Sequence, residues 1–118
     1  MDGVELWRMT LAVDDIDTMA AFYDDVFGCR FEAFPAFGTT LFRGRLGGLV
    51  LVLCPNSLAR IQAEQSRHQL HLVVDNVSNF ADRAEECGGR AELYTRAGGE
   101  LVAVITDPEG NSIELMRA

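Results

Sequence analysis

The 118-residue sequence has no lysine. All ten basic residues are arginine, scattered from Arg8 to Arg117 against 18 acidic residues, for a formal net charge of −8. Phosphate backbones are gripped by clustered cations that release counterions, so this balance argues against a nucleic-acid partner. Acidity of this size keeps a protein soluble, and it can draw in a cationic small molecule. No apolar run approaches the roughly 20 residues of a membrane span, and the first residues lack a basic stretch leading into an apolar one. The expectation is a soluble, cytoplasmic protein with no membrane partner. Cysteine is sparse too: Cys29, Cys54 and Cys87 are an odd number without C-x-x-C spacing. They read as free thiols in a reducing compartment, buried as small apolar residues, rather than as disulfides or a zinc knuckle. A nucleophile elbow, a phosphate loop and a dinucleotide fingerprint are all missing, and Gly47-Gly48 and Gly98-Gly99 are turn chemistry.

What is present is a hydrophobic content of 48%, ample for a core without metal or disulfide staples. An internal repeat runs through the chain. Leu11-Ala12-Val13-Asp14-Asp15-Ile16 is echoed by Leu72-Val73-Val74-Asp75-Asn76-Val77, an offset of 61 residues from Asp14 to Asp75 that also pairs Ala20 with Ala81 and Gly28 with Gly89. In each copy an apolar, β-branched run stops at side chains able to cap a helix. Ile16, Met19, Ala20, Tyr23 and Phe27 then recur with the spacing of one helical face, as do Val77, Phe80, Ala81, Ala84 and the adjoining Cys87. Gly28 and Gly88-Gly89 end these helices.

Strand-like runs follow at about 30–34, 39–43 and 49–54, and again at about 90–94, 100–106 and 112–116. Gly44 to Gly48 and Asp107 to Asn111 are the expected hairpin turns. Each half reads β-α-β-β-β, the first at about 5–54 and the second at about 68–118. A connector at about 55–67 is expected to hold a short helix capped by Ser57.

The opening motif, Leu11 to Ile16 followed by Ala21-Phe22-Tyr23 and Val26-Phe27-Gly28, resembles that of the vicinal-oxygen-chelate superfamily of glyoxalases, bleomycin-resistance proteins and extradiol dioxygenases. The closing run, Asp107-Pro108-Glu109-Gly110-Asn111-Ser112-Ile113-Glu114-Leu115, is similar to that superfamily's C-terminal signature and is the more specific of the two. The resemblance implies one α+β domain over 1–118. Its two β-α-β-β-β modules would form an open, curled mixed-sheet barrel around a cavity, often in a homodimer.

In metal-using members, the first and last strand of each module supply ligands to one divalent ion. Carried over by motif register, these positions are Arg8 and Leu51 in the first module, Gln69 and Glu114 in the second. Arg8 has no lone pair to give and Leu51 no heteroatom, so the resemblance implies a defective metal set and no cofactor. Strand alternation places His71 on the face of Gln69, while a register shift of one residue would bring in His68. Arg8 and Glu114 are expected to pair where the ion would be. Thr10 lies beside Arg8, and Leu49, Leu51 and Leu53 form an apolar wall. Phe31, Phe34, Phe37 and Phe42 are expected around the cavity mouth or the hairpins, as core or dimer contacts ahead of a stacking surface for a planar ligand, and Trp7 is expected to face the helices or a partner chain.

Three functions compete. The first is a metal-independent protein that binds a small organic ligand, cationic or aromatic, through Arg8, Thr10, Leu51, Gln69, His71 and Glu114, in the manner of the antibiotic-sequestering bleomycin-resistance branch. The second is a glyoxalase-type lyase or isomerase, or a dioxygenase-related enzyme, using Glu114 with His71 or His68, with or without a divalent metal. The third is a partner-binding module with no small ligand.

Overall fold

The structure, a computed structural model, describes residues 7–59 and 68–117. It divides into two compact units, Met1–Gln62 and Ala63–Ala118, called here modules 1 and 2. The fold class is α+β, and both modules share one topology. In module 1, β1 (Arg8–Val13) leads to α1 (Ile16–Phe27), β2 (Glu32–Ala36), β3 (Thr39–Leu46) and β4 (Leu49–Pro55). In module 2, β5 (Leu70–Val74) leads to α3 (Val77–Glu86), β6 (Arg90–Thr95), β7 (Leu101–Thr106) and β8 (Ser112–Arg117). Each sheet is mixed and open, in the orders β1-β4-β3-β2 and β5-β8-β7-β6, with the first and last strands of each module parallel neighbours.

The predicted caps form. Asp15 accepts from the Thr18 N–H at 3.1 Å ahead of α1, and Asn76 accepts from the Asn79 N–H at 3.0 Å ahead of α3, so each satisfies an orphan donor of the first turn. Gly28 ends α1 in the left-handed region, its N–H on the Asp24 carbonyl at 2.8 Å. One face of each sheet is covered by the long helix that follows its first strand. Met19, Phe22, Tyr23 and Val26 of α1 are buried with Leu51 and Leu53 of β4, and Ala81 and Ala84 of α3 with Ile105, Ile113 and Leu115. Each Val, Leu, Ile, Met or Phe among them contributes roughly 1.5–3 kcal/mol through its removal from water.

Two local expectations are corrected. Gly44 is not in a turn: β3 runs through it to Leu46, and the turn is confined to Gly47-Gly48. The reason is a close approach, since a Cβ on Gly44 would lie 2.7 Å from the Cys29 carbonyl oxygen, whose partner is the Arg45 N–H at 2.9 Å. Only glycine lets the strand pass there. The connector's helix is α2 (Asn56–Ala59), and Ser57 lies within it rather than ahead of it. At its start the Asn56 amide donates to the Asp14 carboxylate, tying the connector back to the end of β1. The rest of the connector, 60–67, lies outside the described residues.

Candidate functional site

Side chains alternate along a strand, so β8 turns Ile113 and Leu115 to the α3 side and presents Ser112, Glu114 and Met116 on the other face. Directly opposite residues share a face, and the ladders extend this one across module 2. His71, Glu114, Val104 and Glu92 form one row, and Val73, Met116, Val102 and Tyr94 the next.

Glu114 is the centre of the arrangement. Its side chain is only 11% exposed, and three donors from its own module converge on the carboxylate. His71 Nδ1 lies 3.0 Å from Oε1, Arg96 Nη2 donates to the same oxygen at 2.6 Å, and the Tyr94 hydroxyl donates to Oε2 at 2.9 Å. These bonds satisfy a buried anion that would otherwise be costly. The Tyr94 hydrogen bond, helped by that of His71 and by the charges of Arg96 and His71, holds the Glu114 carboxyl below its ordinary value against an upward push from burial that is second in size only to the Tyr94 bond. In return the hydrogen bond to Glu114 raises the Tyr94 phenol above its ordinary range, so it remains a donor.

Because an ionised carboxylate can only accept, His71 must carry its proton on Nδ1. A neutral His71 then holds its lone pair on Nε2, and 55% of the side chain is exposed. Arg96, 38% exposed, also lies 4.0 Å from Glu100. The cluster thus presents an oriented imidazole, a phenol and a guanidinium around a carboxylate that Arg96 neutralises. A His–carboxylate pair of this kind can bind polar ligand groups or move a proton at Nε2.

The expected site residues are distributed as follows. His71 and Glu114 are brought together. Gln69, just ahead of β5, donates from its amide to Ser112 Oγ at 2.9 Å on the same face. His68 precedes it and is exposed. In module 1, Thr10 stands opposite Val52 and Arg8 opposite Val50. Leu51 is a correction: the position matching Glu114 is Val52, because Thr10 pairs with Val52 as His71 pairs with Glu114. Leu51 and Leu53 face α1 and line no open surface, whereas Val52 and Cys54 form a separate cluster with Leu41, flanked by Phe34, Ala36, Val50 and Leu58. The Arg8 guanidinium stacks on the Trp7 ring, 4.7 Å from its centroid, and the guanidinium on Glu114 belongs instead to Arg96.

Tyr94 and Arg96 were not singled out from the sequence. The signal was present, since the Gly98-Gly99 turn pairs Thr95 with Leu101 and so puts Tyr94 on the Glu114 face. Of the aromatic positions, Phe34 packs beneath the Arg43 guanidinium at 4.7 Å. Phe37 is 84% exposed at the β2–β3 hairpin tip, and Trp7 is 59% exposed. The Cys29 thiol is buried, which with the nearby Asp24 charge pushes its pKa up to about 12, so it is an inert core residue.

A divalent ion does not fit this donor set. The Glu114 oxygens are already occupied by three donors, one of them a permanent cation, and both candidate closing-strand positions of module 1 are aliphatic. Among the described residues, no three of His, Cys, Asp and Glu are grouped to hold a metal. No helix among them is long and apolar enough to cross a membrane.

Residues 8–116 match the family described as Glyoxalase-like domain. Among solved structures, a glyoxalase/bleomycin resistance protein/dioxygenase family enzyme from Burkholderia phytofirmans PsJN aligns with TM-score 0.76 at 20% identity, covering 97% of this chain and 98% of its own. TnmS3, an antibiotic binding protein from Streptomyces sp. CB03234, aligns with TM-score 0.75 at 20% identity, covering 99% and 98%. Lactoylglutathione lyase from Agrobacterium tumefaciens aligns with TM-score 0.73 at 23% identity, covering 100% and 96%. No curated protein sequence is similar enough to count as a match.

Proposed function

We propose, for a chain that belongs to the glyoxalase-like domain family and with it to the vicinal-oxygen-chelate superfamily, that it binds a small organic molecule without a metal, using the open sheet face of module 2. The observation that carries this reading is the 2.6 Å contact between Arg96 and Glu114. A guanidinium, with hydrogen bonds from His71 and Tyr94, meets the charge that a divalent ion would otherwise balance. The likeness to an antibiotic binding protein gives the same reading support from outside the chain. Since Glu114 is already neutralised, the cluster offers a ligand the His71 ring, the Tyr94 phenol and the outer N–H groups of Arg96 rather than a bare carboxylate.

The test is elemental analysis of the purified protein together with a thermal-shift screen of aromatic antibiotics and small aromatic amines. The expected result is no stoichiometric ion and a stabilising compound whose effect is lost in His71→Ala. A stoichiometric divalent ion that disappears in Glu114→Ala would overturn the proposal. Light scattering on the same sample addresses the proposed cytoplasmic homodimer, which the exposed Trp7 supports; a monomer at all concentrations would remove it.

A second reading, an isomerase or lyase, is favoured by one observation. Glu114 orients His71 through Nδ1, leaving Nε2 as a general base. Turnover in a lactoylglutathione lyase assay that vanishes in His71→Ala would establish this reading; no turnover in the unmodified protein would reject it for that substrate.

A further inference from the structure

On the helix side of the module 2 sheet, at the C-terminal ends of β5 and β8, lies a cavity of about 620 Å³ whose lining includes Asp75, Ser78, Glu100, Leu101 and Arg117. The two strands run parallel and α3 follows the first of them, so a crevice opens where the chain leaves the sheet for the helix. Arg117 comes two residues after Leu115 and shares its side of the sheet, and Leu101 shares the side of Ala103 and Ile105. Glu114 points to the opposite face. The cavity is therefore separate from the cluster described above.

An acid and a base line this crevice without pairing. Arg117 stands opposite Val74, the residue before Asp75, so strand spacings of about 4.8 Å across and 3.4 Å along put the Asp75 and Arg117 Cα atoms roughly 6 Å apart. Both side chains are exposed, and among the described residues neither makes an ion pair or a hydrogen bond. A second carboxylate, that of Glu100, lines the same cavity and has a single long contact, 4.0 Å to Arg96. Module 1 treats the same place differently. Asp14, the counterpart of Asp75 in the repeat, accepts from the Asn56 amide, and Pro55 stands where module 2 has Arg117. Its acid is already partnered and its base is absent, whereas module 2 keeps both with space between them.

Charges of opposite sign on either side of a cavity match a ligand that carries the complementary pair on neighbouring atoms. A free α-amino acid is such a ligand. Its carboxylate suits the planar guanidinium fork of Arg117, with the Ser78 hydroxyl as a further donor, and its ammonium suits the carboxylates of Asp75 and Glu100. Leu101, 37% exposed, supplies an apolar wall for the side chain. We infer that this cavity of module 2 is a binding site for free α-amino acids with aliphatic side chains. Arg117 repels a ligand that is only a cation, and the two carboxylates repel one that is only an anion, so the requirement for both charges is the signature of the site. None of the residues that surround Glu114 lines it, so either proposal can fail without the other.

The experiment is isothermal titration of the full chain with leucine, glycine, leucinamide and isocaproate. Saturable binding of leucine is expected, with a loss of about tenfold or more for leucinamide, which lacks the carboxylate, and for isocaproate, which lacks the ammonium. Glycine should bind more weakly than leucine because it leaves Leu101 uncovered. Asp75→Asn and Arg117→Gln should each lower the affinity for leucine about tenfold or more, while the melting temperature is unchanged because both side chains are exposed and unpaired among the described residues. Arg117→Lys should recover only part of the loss, since the charge returns without the fork. His71→Ala should bind leucine as the parent does, because the imidazole lies on the other face of the sheet. The inference is overturned if leucine does not bind saturably, if leucinamide or isocaproate binds as tightly, or if the Asp75→Asn/Arg117→Gln double variant binds leucine as well as the parent. Loss of leucine binding in His71→Ala overturns it too, by placing the molecule at the Glu114 cluster.

Discussion

Modules 1 and 2 share strand order, helix position and capping, yet the sheet faces opposite their long helices are chemically opposed. Module 2 buries one carboxylate beneath three donors, and module 1 displays the guanidiniums of Arg8, Arg43 and Arg45 without an acidic partner among the described residues. The helix-covered faces, in contrast, are alike: Leu53 and Leu115 occupy matching places, and both are fully buried. Packing against a helix constrains size and polarity, whereas the other face is free to change its chemistry without disturbing the backbone.

The comparison is most sharply tested in the two cores. Leu53→Ala and Leu115→Ala should each cost about 2–5 kcal/mol in chemical denaturation, the expected loss for a leucine emptied from a closed site. A large loss in one module and a negligible one in the other would break the equivalence of the halves. The next effect sharpens a difference. Module 1 has Gly44 where module 2 has the fully buried Ile105, because only module 1 brings a carbonyl so close to the strand. Gly44→Ala should cost about 1–3 kcal/mol through overpacking, whereas Gly48→Ala, with open space around it, should stay within about 0.5 kcal/mol. Equal effects at the two glycines would remove the close approach as the reason for Gly44.

The smallest effect is the pH dependence that Glu114 contributes in module 2. The carboxyl of Glu114 is held below its ordinary value of 4.5, so in the folded state it releases its proton more readily than in the unfolded chain. Its contribution is therefore complete above that ordinary value and fades as pH falls through the depressed one. The melting temperature of Glu114→Gln should lie below that of the parent at neutral pH, and the gap should close on acidification. A gap independent of pH would show that Glu114 stabilises by shape rather than by charge.

The fold was legible because the repeat, the Asp15 and Asn76 caps and the glycine stops are all local signals. His71 and Glu114 were legible for a similar reason, each lying within a few residues of an anchoring motif. Leu51 was misplaced because module 1 lacks such an anchor near its last strand. The hairpins of module 2 are longer, so one residue more separates Val52 from Glu114 than separates Thr10 from His71. That single residue inverts which side chains face the helix. Arg96 was missed on different grounds: it sits just past β6, and its reach to Glu114 depends on a long side chain folding back across the sheet. Periodicity carries no information about such a contact.

The Asp107 to Asn111 turn, with Asp107 bonded to the N–H groups of Glu109 and Asn111 and closed by the Asp107 N–H on the Asn111 carbonyl, is a rigid spacer. It sets the phase with which β8 leaves β7. One residue more or fewer would send Glu114 into the aliphatic layer and Leu115 out to water. The length of this loop is thus as much a determinant of the binding chemistry as the acid it delivers, and a relative with the same acid on a different spacer would present another surface altogether.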